Sequence, residues 1–100
     1  MTRADVRRTL VAYDIPDDKR RSRVAKVLQS FGDRVQYSVF VIDAAPVGIA
    51  RMTRKVHDLI EPEEDSVLIC DLGLLASQSD SRFNYLGRVP KTTDASSFVL

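Results

Sequence analysis

The sequence has only one cysteine and one histidine among its 100 residues, and no tryptophan. A single cysteine forms no internal disulfide, which excludes the disulfide-stabilised secreted domains. The chain has no apolar run approaching the roughly 20 residues of a membrane helix, and its first residues lack the apolar region of a secretory signal. We therefore expect one globular domain without a membrane segment, located in a reducing cytoplasm.

Motifs for several enzyme classes are also missing. There is no glycine-rich phosphate loop, no pair of cysteines at zinc spacing and no set of serine, histidine and aspartate that indicates a hydrolase. His57 falls on the polar side of a predicted helix, which favours a solvated residue over a catalytic acid. Cys70, inside the apolar run VLICDL, is predicted to be buried and inert. These absences leave carboxylate and basic side chains as the candidates for a functional site.

The charge of the chain is nearly balanced but unevenly distributed. The net charge is +1, yet six of the 15 basic residues fall between positions 19 and 34, and four acids lie together between 61 and 65. A basic cluster is the electrostatic signature of a partner that carries phosphate groups, although a solvated helix face has the same composition.

Hydrophobic periodicity predicts alternating strands and helices. The strand 9–15 is apolar on both faces, which suits a central position in a sheet. Asp17 is placed to cap the helix that follows, and Gly32 ends that helix. Pro46 begins a second helix, and SVLICDLG predicts another strand. This order indicates an α+β domain of the ferredoxin-like kind, with two helices on one face of an antiparallel sheet.

The segment 34–43 alternates between two faces. Val35 and Tyr37 point toward the predicted core, whereas Ser38 and Phe40 lie on a mixed face that serves as a dimer or stacking surface. A ferredoxin-like sheet requires this segment to bend into two short strands, which the periodicity does not show. An aromatic ring on an open sheet face must be covered, and a second copy related by a two-fold axis is the simplest cover. We therefore predict a homodimer through the open sheet face.

The C-terminal part of the sequence is predicted to change character at residue 89. The domain extends over 1–88 and includes a last strand at 83–88, where FNYLGR is found. Residues 89–100 have too few apolar groups to pack independently, and we expect a tail that is flexible or ordered by a partner.

The end of the first strand carries the candidate site. Asp14 closes a core strand, so its carboxylate must be solvated, paired or bound to a metal ion. Arg20 and Arg21 lie in or beside the buried stripe of the first helix, near the positive end of its dipole, where anions are needed to neutralise them. Those anions are either the three aspartates Asp14, Asp17 and Asp18, or a phosphate group.

A second copy of the chain would complete a metal site at Asp14. One aspartate alone makes a poor magnesium site, but two copies of Asp14 facing each other across a two-fold axis would hold one hydrated Mg²⁺. The ion would polarise a phosphate and activate a water for hydrolysis, which makes Asp14 the predicted catalytic residue. Four basic side chains are predicted to bind the nucleic-acid backbone: Arg20, Arg21, Arg23 and Arg34.

The block YDIPDDKRRSRVAKVL followed by FGDRVQYSVF resembles the CRISPR-associated protein 2 family in order and spacing. The resemblance implies a ferredoxin-like homodimer that binds duplex DNA. It also implies that the dimer acts with the CRISPR-associated protein 1 integrase, which inserts foreign DNA fragments as new spacers. Members of the family are further described as metal-dependent endonucleases on RNA or DNA, whose magnesium ligand corresponds to Asp14. One departure is Val41, where the family frequently has an acidic residue.

Three other functions remain open. The first is a purely architectural DNA-binding dimer in which Asp14 only orders the arginines. The second is a toxin-like messenger RNA interferase resembling virulence-associated protein D, which shares the dimeric fold. The third is a small-ligand regulatory domain, for which the sequence offers no recognisable pocket.

Overall fold

The first strand of the chain forms the centre of a four-stranded sheet. The computed structural model describes residues 4–79 and 83–89. The elements in chain order are β1 (Arg7–Asp14), α1 (Asp18–Phe31), β2 (Asp33–Gln36), β3 (Val39–Ala44), α2 (Pro46–His57) and β4 (Ser66–Leu74), followed by a short 3-10 helix (Leu75–Ser77). The strand order is β2-β3-β1-β4, and every pairing is antiparallel. The predicted ferredoxin-like α+β fold is confirmed.

Both ends of α1 follow the sequence signals. The Asp17 side chain caps the helix by accepting a hydrogen bond from the backbone N–H of Arg20 at 2.8 Å. Gly32 ends the helix in an extended conformation, so it is not needed for a left-handed turn. A Cβ atom at this position would lie 2.3 Å from the carbonyl oxygen of Val41 in β3. Glycine is therefore required because the end of α1 passes directly against the sheet.

The segment 34–43 forms two strands, as the fold requires. β2 ends at Gln36 and β3 begins at Val39, so Tyr37 and Ser38 form the turn between them. The predicted alternation is correct, but its assignment to the two faces of the sheet is reversed.

Phe40 is fully buried in the core between the sheet and the helices, whereas Val35 and Val41 pack together on the opposite face. The prediction that Phe40 lies on the dimer or stacking surface is therefore wrong. The physical reason is the position of the helices, because α1 and α2 cover the sheet face that carries Phe40 and enclose its ring with side chains such as Leu28 and Met52. The largest fully buried side chains of the chain are Phe40, Leu28, Ile42, Met52, Val11 and Val24.

The sheet face opposite the helices is partly covered by the chain's own C-terminal segment. Phe83 and Tyr85 pack against Val35 and Val41, and the Tyr85 hydroxyl donates a hydrogen bond to the carbonyl oxygen of Val35 at 3.1 Å. Residues 83–89 contain no strand, so the strand predicted at 83–88 is not formed within the single chain. The predicted tail over 89–100 lies outside the described residues, except for its first residue.

The last strand, β4, lies at an edge of the sheet and is largely exposed. It pairs with β1 on one side only, and Leu68 is 60% exposed. Cys70 is exposed as well, so the prediction of a buried thiol is wrong. Within residues 4–79 and 83–89, no helix combines the length and apolar character that crossing a membrane requires.

Candidate functional site

Three segments meet at the end of β1 where Asp14 lies. The backbone N–H of Tyr13 donates to the carbonyl oxygen of Ser38 in the β2–β3 turn at 3.0 Å. On the other side, Asp14 stands opposite Ser66, the first residue of β4. The end of the central strand, the β2–β3 turn and the beginning of the edge strand therefore form one surface.

Asp14 itself is exposed, and its carboxylate forms no ion pair with any residue of the described ranges. Side chains alternate along a strand, so Asp14 shares a sheet face with Leu10, which lines a cavity with Phe83 and Tyr85 on the side away from the helices. The three possibilities for this acid are thereby reduced to a solvated carboxylate or a ligand for an ion.

Arg20 is held by an acid that the sequence analysis placed in a separate cluster. Its Nε and Nη2 atoms donate to the two carboxylate oxygens of Asp65 at 2.7 and 2.9 Å, and Nη2 lies 3.4 Å from Glu64. Asp65 is fully buried at its side chain and also accepts the backbone N–H of Glu61 at 2.8 Å. The acid that neutralises Arg20 is thus Asp65, and the pair ties the first turn of α1 to the entry of β4.

This pair shifts the pKa of both partners in the directions that favour their charged forms. The hydrogen bond to Asp65 is the largest cause that raises the pKa of Arg20. The same hydrogen bond from Arg20 is the largest cause that lowers the pKa of Asp65 below its ordinary value of 3.8. A carboxylate whose pKa is lower in the folded than in the unfolded chain stabilises the fold above the unfolded pKa.

We expect the Arg20–Asp65 pair to make stability depend on pH in the acid range. Its contribution is fully present above about pH 4 and is lost as the pH falls through the folded-state pKa of Asp65. The variant Asp65→Asn should melt at a lower temperature at neutral pH and should lose less stability on acidification than the wild type. Thermal melts followed by circular dichroism from about pH 2 to 7 measure both effects.

The control for this experiment is Asp58→Asn, because the Asp58 side chain is 72% exposed and forms no buried pair. It should follow the wild-type curve. If the melting temperatures of Asp65→Asn and the wild type fell equally on acidification, the Arg20–Asp65 pair would not be the source of the pH dependence.

Arg21 is bound to the segment that follows Asp14. Its Nη1 atom donates to the carbonyl oxygen of Ile15 at 2.9 Å, and its guanidinium also pairs with Asp18. The hydrogen bond to Asp18 is the largest cause that raises the pKa of Arg21, and a smaller contribution comes from a hydrogen bond with the Tyr37 side chain. Arg21 therefore positions positive charge beside the end of β1.

Arg23 and Arg34 occupy different environments. Arg23 is exposed on α1 and forms no ion pair within the part of the chain that the structure describes. The guanidinium carbon of Arg34 lies 5.1 Å from the ring centre of Phe40 and 5.8 Å from that of Tyr37. Its Nε atom is buried without a hydrogen-bond partner. Of the four arginines predicted to bind nucleic acid, Arg23 is thus the most accessible, whereas Arg34 is partly buried and contacts two aromatic rings.

Tyr37 is the residue of this surface that sequence reasoning missed. Tyr37 was predicted to point toward the core, but it is 71% exposed. Its exposure follows from its place in the turn between two short strands, because a residue in a two-residue turn does not follow the alternation of the strands beside it. The requirement of the fold for two strands in this segment was the signal that could have indicated this exposure.

The residues present offer a magnesium ion the carboxylate of Asp14, to which a second copy of the chain would add another. Within the described ranges, no group of three or more histidine, cysteine, aspartate or glutamate side chains could hold a metal ion. Asp14 supplies one carboxylate, whereas a protein magnesium site commonly has one or two carboxylates with waters and phosphate oxygens. A second Asp14 from another copy would bring the number of carboxylates to two, which is within the range that such a site uses.

The family model described as CRISPR associated protein Cas2 matches residues 7–77 of the chain. Among curated proteins, the CRISPR-associated endoribonuclease Cas2 of Thermus thermophilus is 43% identical over 60 residues, which are 60% of this chain and 64% of that relative. The chain thus covers just under two thirds of the length of that relative.

Two solved structures have the same fold. A hypothetical protein from Thermus thermophilus superposes with a TM-score of 0.71 and 34% identity, over 87% of this chain and 98% of that one. Cas2 of Streptococcus pyogenes superposes with a TM-score of 0.69 and 29% identity, over 80% and 99% of the two chains. With the family model matched across β1 to β4 and the ferredoxin-like topology in common, this chain belongs to the CRISPR-associated protein Cas2 family.

Proposed function

We propose that this chain is a cytoplasmic subunit of CRISPR adaptation that works as a homodimer, binds DNA with the CRISPR-associated protein 1 integrase, and hydrolyses phosphodiester bonds. The observation that carries the proposal is Asp14, an exposed carboxylate without an ion pair among the described residues, at the end of the central strand. The names of the relatives, which include endoribonuclease and endonuclease, support the hydrolytic part.

Dimerisation through the face opposite the helices is supported by the residues left exposed there. Leu68 and Cys70 of β4 stand opposite Ala12 and Leu10 of β1, so all four share the sheet face of Asp14. Leu68 and Cys70 are exposed in the single chain, and an apolar strip of this kind is typical of a surface that a second copy covers. A two-fold axis through this face would bring two copies of Asp14 toward each other.

The proposed chemistry assigns separate tasks to the charged side chains. The two Asp14 carboxylates would hold Mg²⁺, which when bound polarises a phosphate and lowers the pKa of water. Arg23, exposed on α1, would attract the phosphate backbone. Arg21 would keep positive charge beside the strand end through its hydrogen bond to Ile15. The pair of Arg20 with Asp65 would keep α1 and β4 in the positions that this site needs.

One observation favours the architectural alternative. Val41, at a position where the family frequently has an acid, is only 2% exposed and packs with Val35, so it adds no carboxylate to the site. In this alternative the dimer binds DNA without hydrolysis, and Asp14 contributes no chemistry.

The experiment compares Leu68→Asp with Val47→Asp, two substitutions at apolar residues that are 60% and 59% exposed. Light scattering gives the mass of each protein, and fluorescent RNA and DNA report cleavage in Mg²⁺ or with a chelator. We expect Leu68→Asp to be monomeric and inactive, because a charge on the shared face opposes its burial against a second copy. Val47→Asp, on α2, should keep the mass of the wild-type protein in light scattering and its rate of cleavage.

A wild-type monomer, or a monomeric Leu68→Asp that retains full cleavage, would exclude an active site shared between two copies. Cleavage that continues in the presence of the chelator would exclude the role of the metal ion.

A further inference from the structure

The edge strand β4 is interrupted near its end by a β-bulge. Its register with β1 shifts between Arg8 and Thr9, which leaves Leu72 as an extra residue in β4. The bulge pairs with the beginning of β1, whereas Asp14 lies at the opposite end of that strand. The groups around the bulge therefore take no part in the chemistry proposed for Asp14.

Two side chains bind the backbone groups that the bulge frees from the ladder. The Oδ1 atom of Asp71 accepts the N–H of Gly73 at 2.8 Å. The Nε2 atom of Gln78 donates to the carbonyl oxygens of Leu72 and Leu74 at 3.0 and 3.1 Å. We propose that Asp71 and Gln78 form an edge cap, which ends the part of β4 that can pair with another strand and keeps separate molecules from joining through this edge.

The earlier part of the same edge directs its backbone groups away from the sheet. In an antiparallel ladder the N–H and C=O of one residue point to the same side, and this direction alternates along the strand. Tyr13 donates its N–H to Ser38 on the β3 side, so Val67, its partner in β4, directs its own groups outward, as does Ile69 two residues later. Ile69 is also 40% exposed. A row of outward groups beside apolar side chains is a template on which another chain can add a strand.

The length of β4 explains why this edge needs a cap. The strand at the other edge of the sheet, β2, has four residues, whereas β4 has nine. A very short edge strand offers little to a second chain, but a long one is usually protected by a bulge, by charge or by covering groups. The end of β4 combines a bulge with the charge of Asp71 and the covering amide of Gln78.

The short 3-10 helix brings Gln78 back against the strand it follows. The N–H of Leu75 donates to the carbonyl oxygen of Val6 at 2.8 Å, and the N–H of Gln78 donates to the carbonyl oxygen of Leu75 at 3.0 Å. The chain reversal is thus tied to the sheet. The amide of Gln78 has two N–H donors, which match the two carbonyl oxygens in front of it.

The other half of the cap is fixed by Gly73 and Arg7. Gly73 has a φ of +102°, a conformation that favours glycine, and a Cβ atom there would lie 3.7 Å from Nε2 of Gln78. The Nε atom of Arg7 donates to both carboxylate oxygens of Asp71 at 3.1 and 3.0 Å. The hydrogen bond from Gly73 is the largest cause that lowers the pKa of Asp71, followed by the hydrogen bond from Arg7. The carboxylate therefore remains charged and in place at neutral pH.

The test follows self-association of the full-length protein with the substitution Gln78→Leu, matched by Gln29→Leu at an exposed glutamine of α1. Leucine has no N–H donor, so the two carbonyl oxygens lose their partner. Light scattering over a concentration series gives the mass, and thioflavin T fluorescence detects strands added between molecules. Gln78→Leu should form species larger than the wild-type oligomer at about 5- to 150-fold lower concentration, the range that corresponds to loss of two hydrogen bonds. Gln29→Leu should behave like the wild type.

A second substitution identifies the surface through which the molecules join. Ile69→Lys adds a charge to the outward part of the β4 edge and should return Gln78→Leu to wild-type behaviour. Val47→Lys, at an exposed residue of α2, should leave the association of Gln78→Leu unchanged. Equal suppression by both lysines would overturn the inference, because net charge would then be the cause. An equal onset concentration for Gln78→Leu and Gln29→Leu would overturn it as well.

Hydrogen exchange followed by NMR measures the cap directly in dilute protein. In Gln78→Leu and Gln78→Glu, which both lack the donors, the N–H of Leu75 should exchange about 5- to 150-fold faster, whereas that of Leu68 in the ladder should keep its rate. Unchanged exchange at Leu75 would contradict the cap. Freshly diluted Gln78→Leu should still cleave like the wild type, because Asp14 lies at the other end of β1. A failed cap is thus distinguishable from a failed proposed function.

Discussion

Replacement of Asp14 by asparagine should reduce Mg²⁺-dependent cleavage of RNA or DNA by more than about 100-fold, because even the groups that merely orient metal ligands cost about 10- to 100-fold when removed. Asparagine keeps the shape of the side chain and one oxygen, but it removes the negative charge that would bind the ion. The fold should be unaffected, since Asp14 is exposed and makes no ion pair within the described residues. Binding of nucleic acid without a metal ion should be equal or tighter, because a carboxylate that repels phosphate is gone.

The measurement is cleavage of labelled RNA and DNA across a titration of Mg²⁺, together with spacer acquisition in cells that carry the integrase and a repeat array. The matched control is Asp58→Asn, an exposed aspartate at the end of α2 in the helical layer. Loss of cleavage with normal acquisition would separate the nuclease activity from the CRISPR role. No cleavage by the wild type or by Asp14→Asn, with normal acquisition in both, would instead establish the architectural function.

The substitution Gly32→Ala should destabilise the fold more than any other single methyl addition at a described glycine. The new Cβ would lie 2.3 Å from the carbonyl oxygen of Val41 and 2.9 Å from the Cα atom of Ile42. Both are backbone atoms in the middle of the sheet, so relief requires α1 and β3 to move apart. Overpacking of this kind costs about 3 kcal/mol or more, out of a total stability of about 5 to 15 kcal/mol.

Thermal unfolding of Gly32→Ala should show a melting temperature lowered by more than about 10 °C, or the variant should be unfolded from the start. Urea unfolding should show a correspondingly lower midpoint concentration. The control is Gly48→Ala on α2, where the new Cβ would meet only the methyl group of Ala44 at 3.1 Å. Alanine also favours the helical conformation over glycine by about 1 kcal/mol, which offsets the tight contact. A melting temperature for Gly32→Ala close to that of Gly48→Ala would contradict the close packing of α1 on β3.

Features that depend on neighbours in the chain were predictable from the sequence. Asp17 caps α1 and Pro46 begins α2, as expected, because a capping side chain and a ring without an N–H act within one helical turn. The position of Asp14 at the end of β1 also followed from the proline that comes two residues later.

Features that depend on residues far apart in the chain were not predictable. Arg20 and Asp65 are separated by 45 positions, and no local pattern indicates that a basic helix and an acidic turn will meet. The faces of β3 were reversed because periodicity shows that Val41 and Phe40 point in opposite directions but not which direction holds the helices.

The exposure of Cys70 has a related cause. An apolar run is typical of a strand that is buried in the assembly the chain forms, so Cys70 within SVLICDLG was predicted to be buried, although β4 is an edge strand of the single chain. If the proposed dimer forms through this face, the apolar character of the strand and its exposure in one copy are consistent with each other.

The position of β1 determines when the sheet can be completed during synthesis. β1 is made first, yet it pairs with β3 on one side and with β4 on the other, and the last partner ends at Leu74. A nascent chain that has not reached this point leaves the apolar residues of its first strand without their neighbours, which is the condition under which chaperones bind and aggregates start. The sheet of this protein is therefore expected to be completed only after most of the chain has left the ribosome.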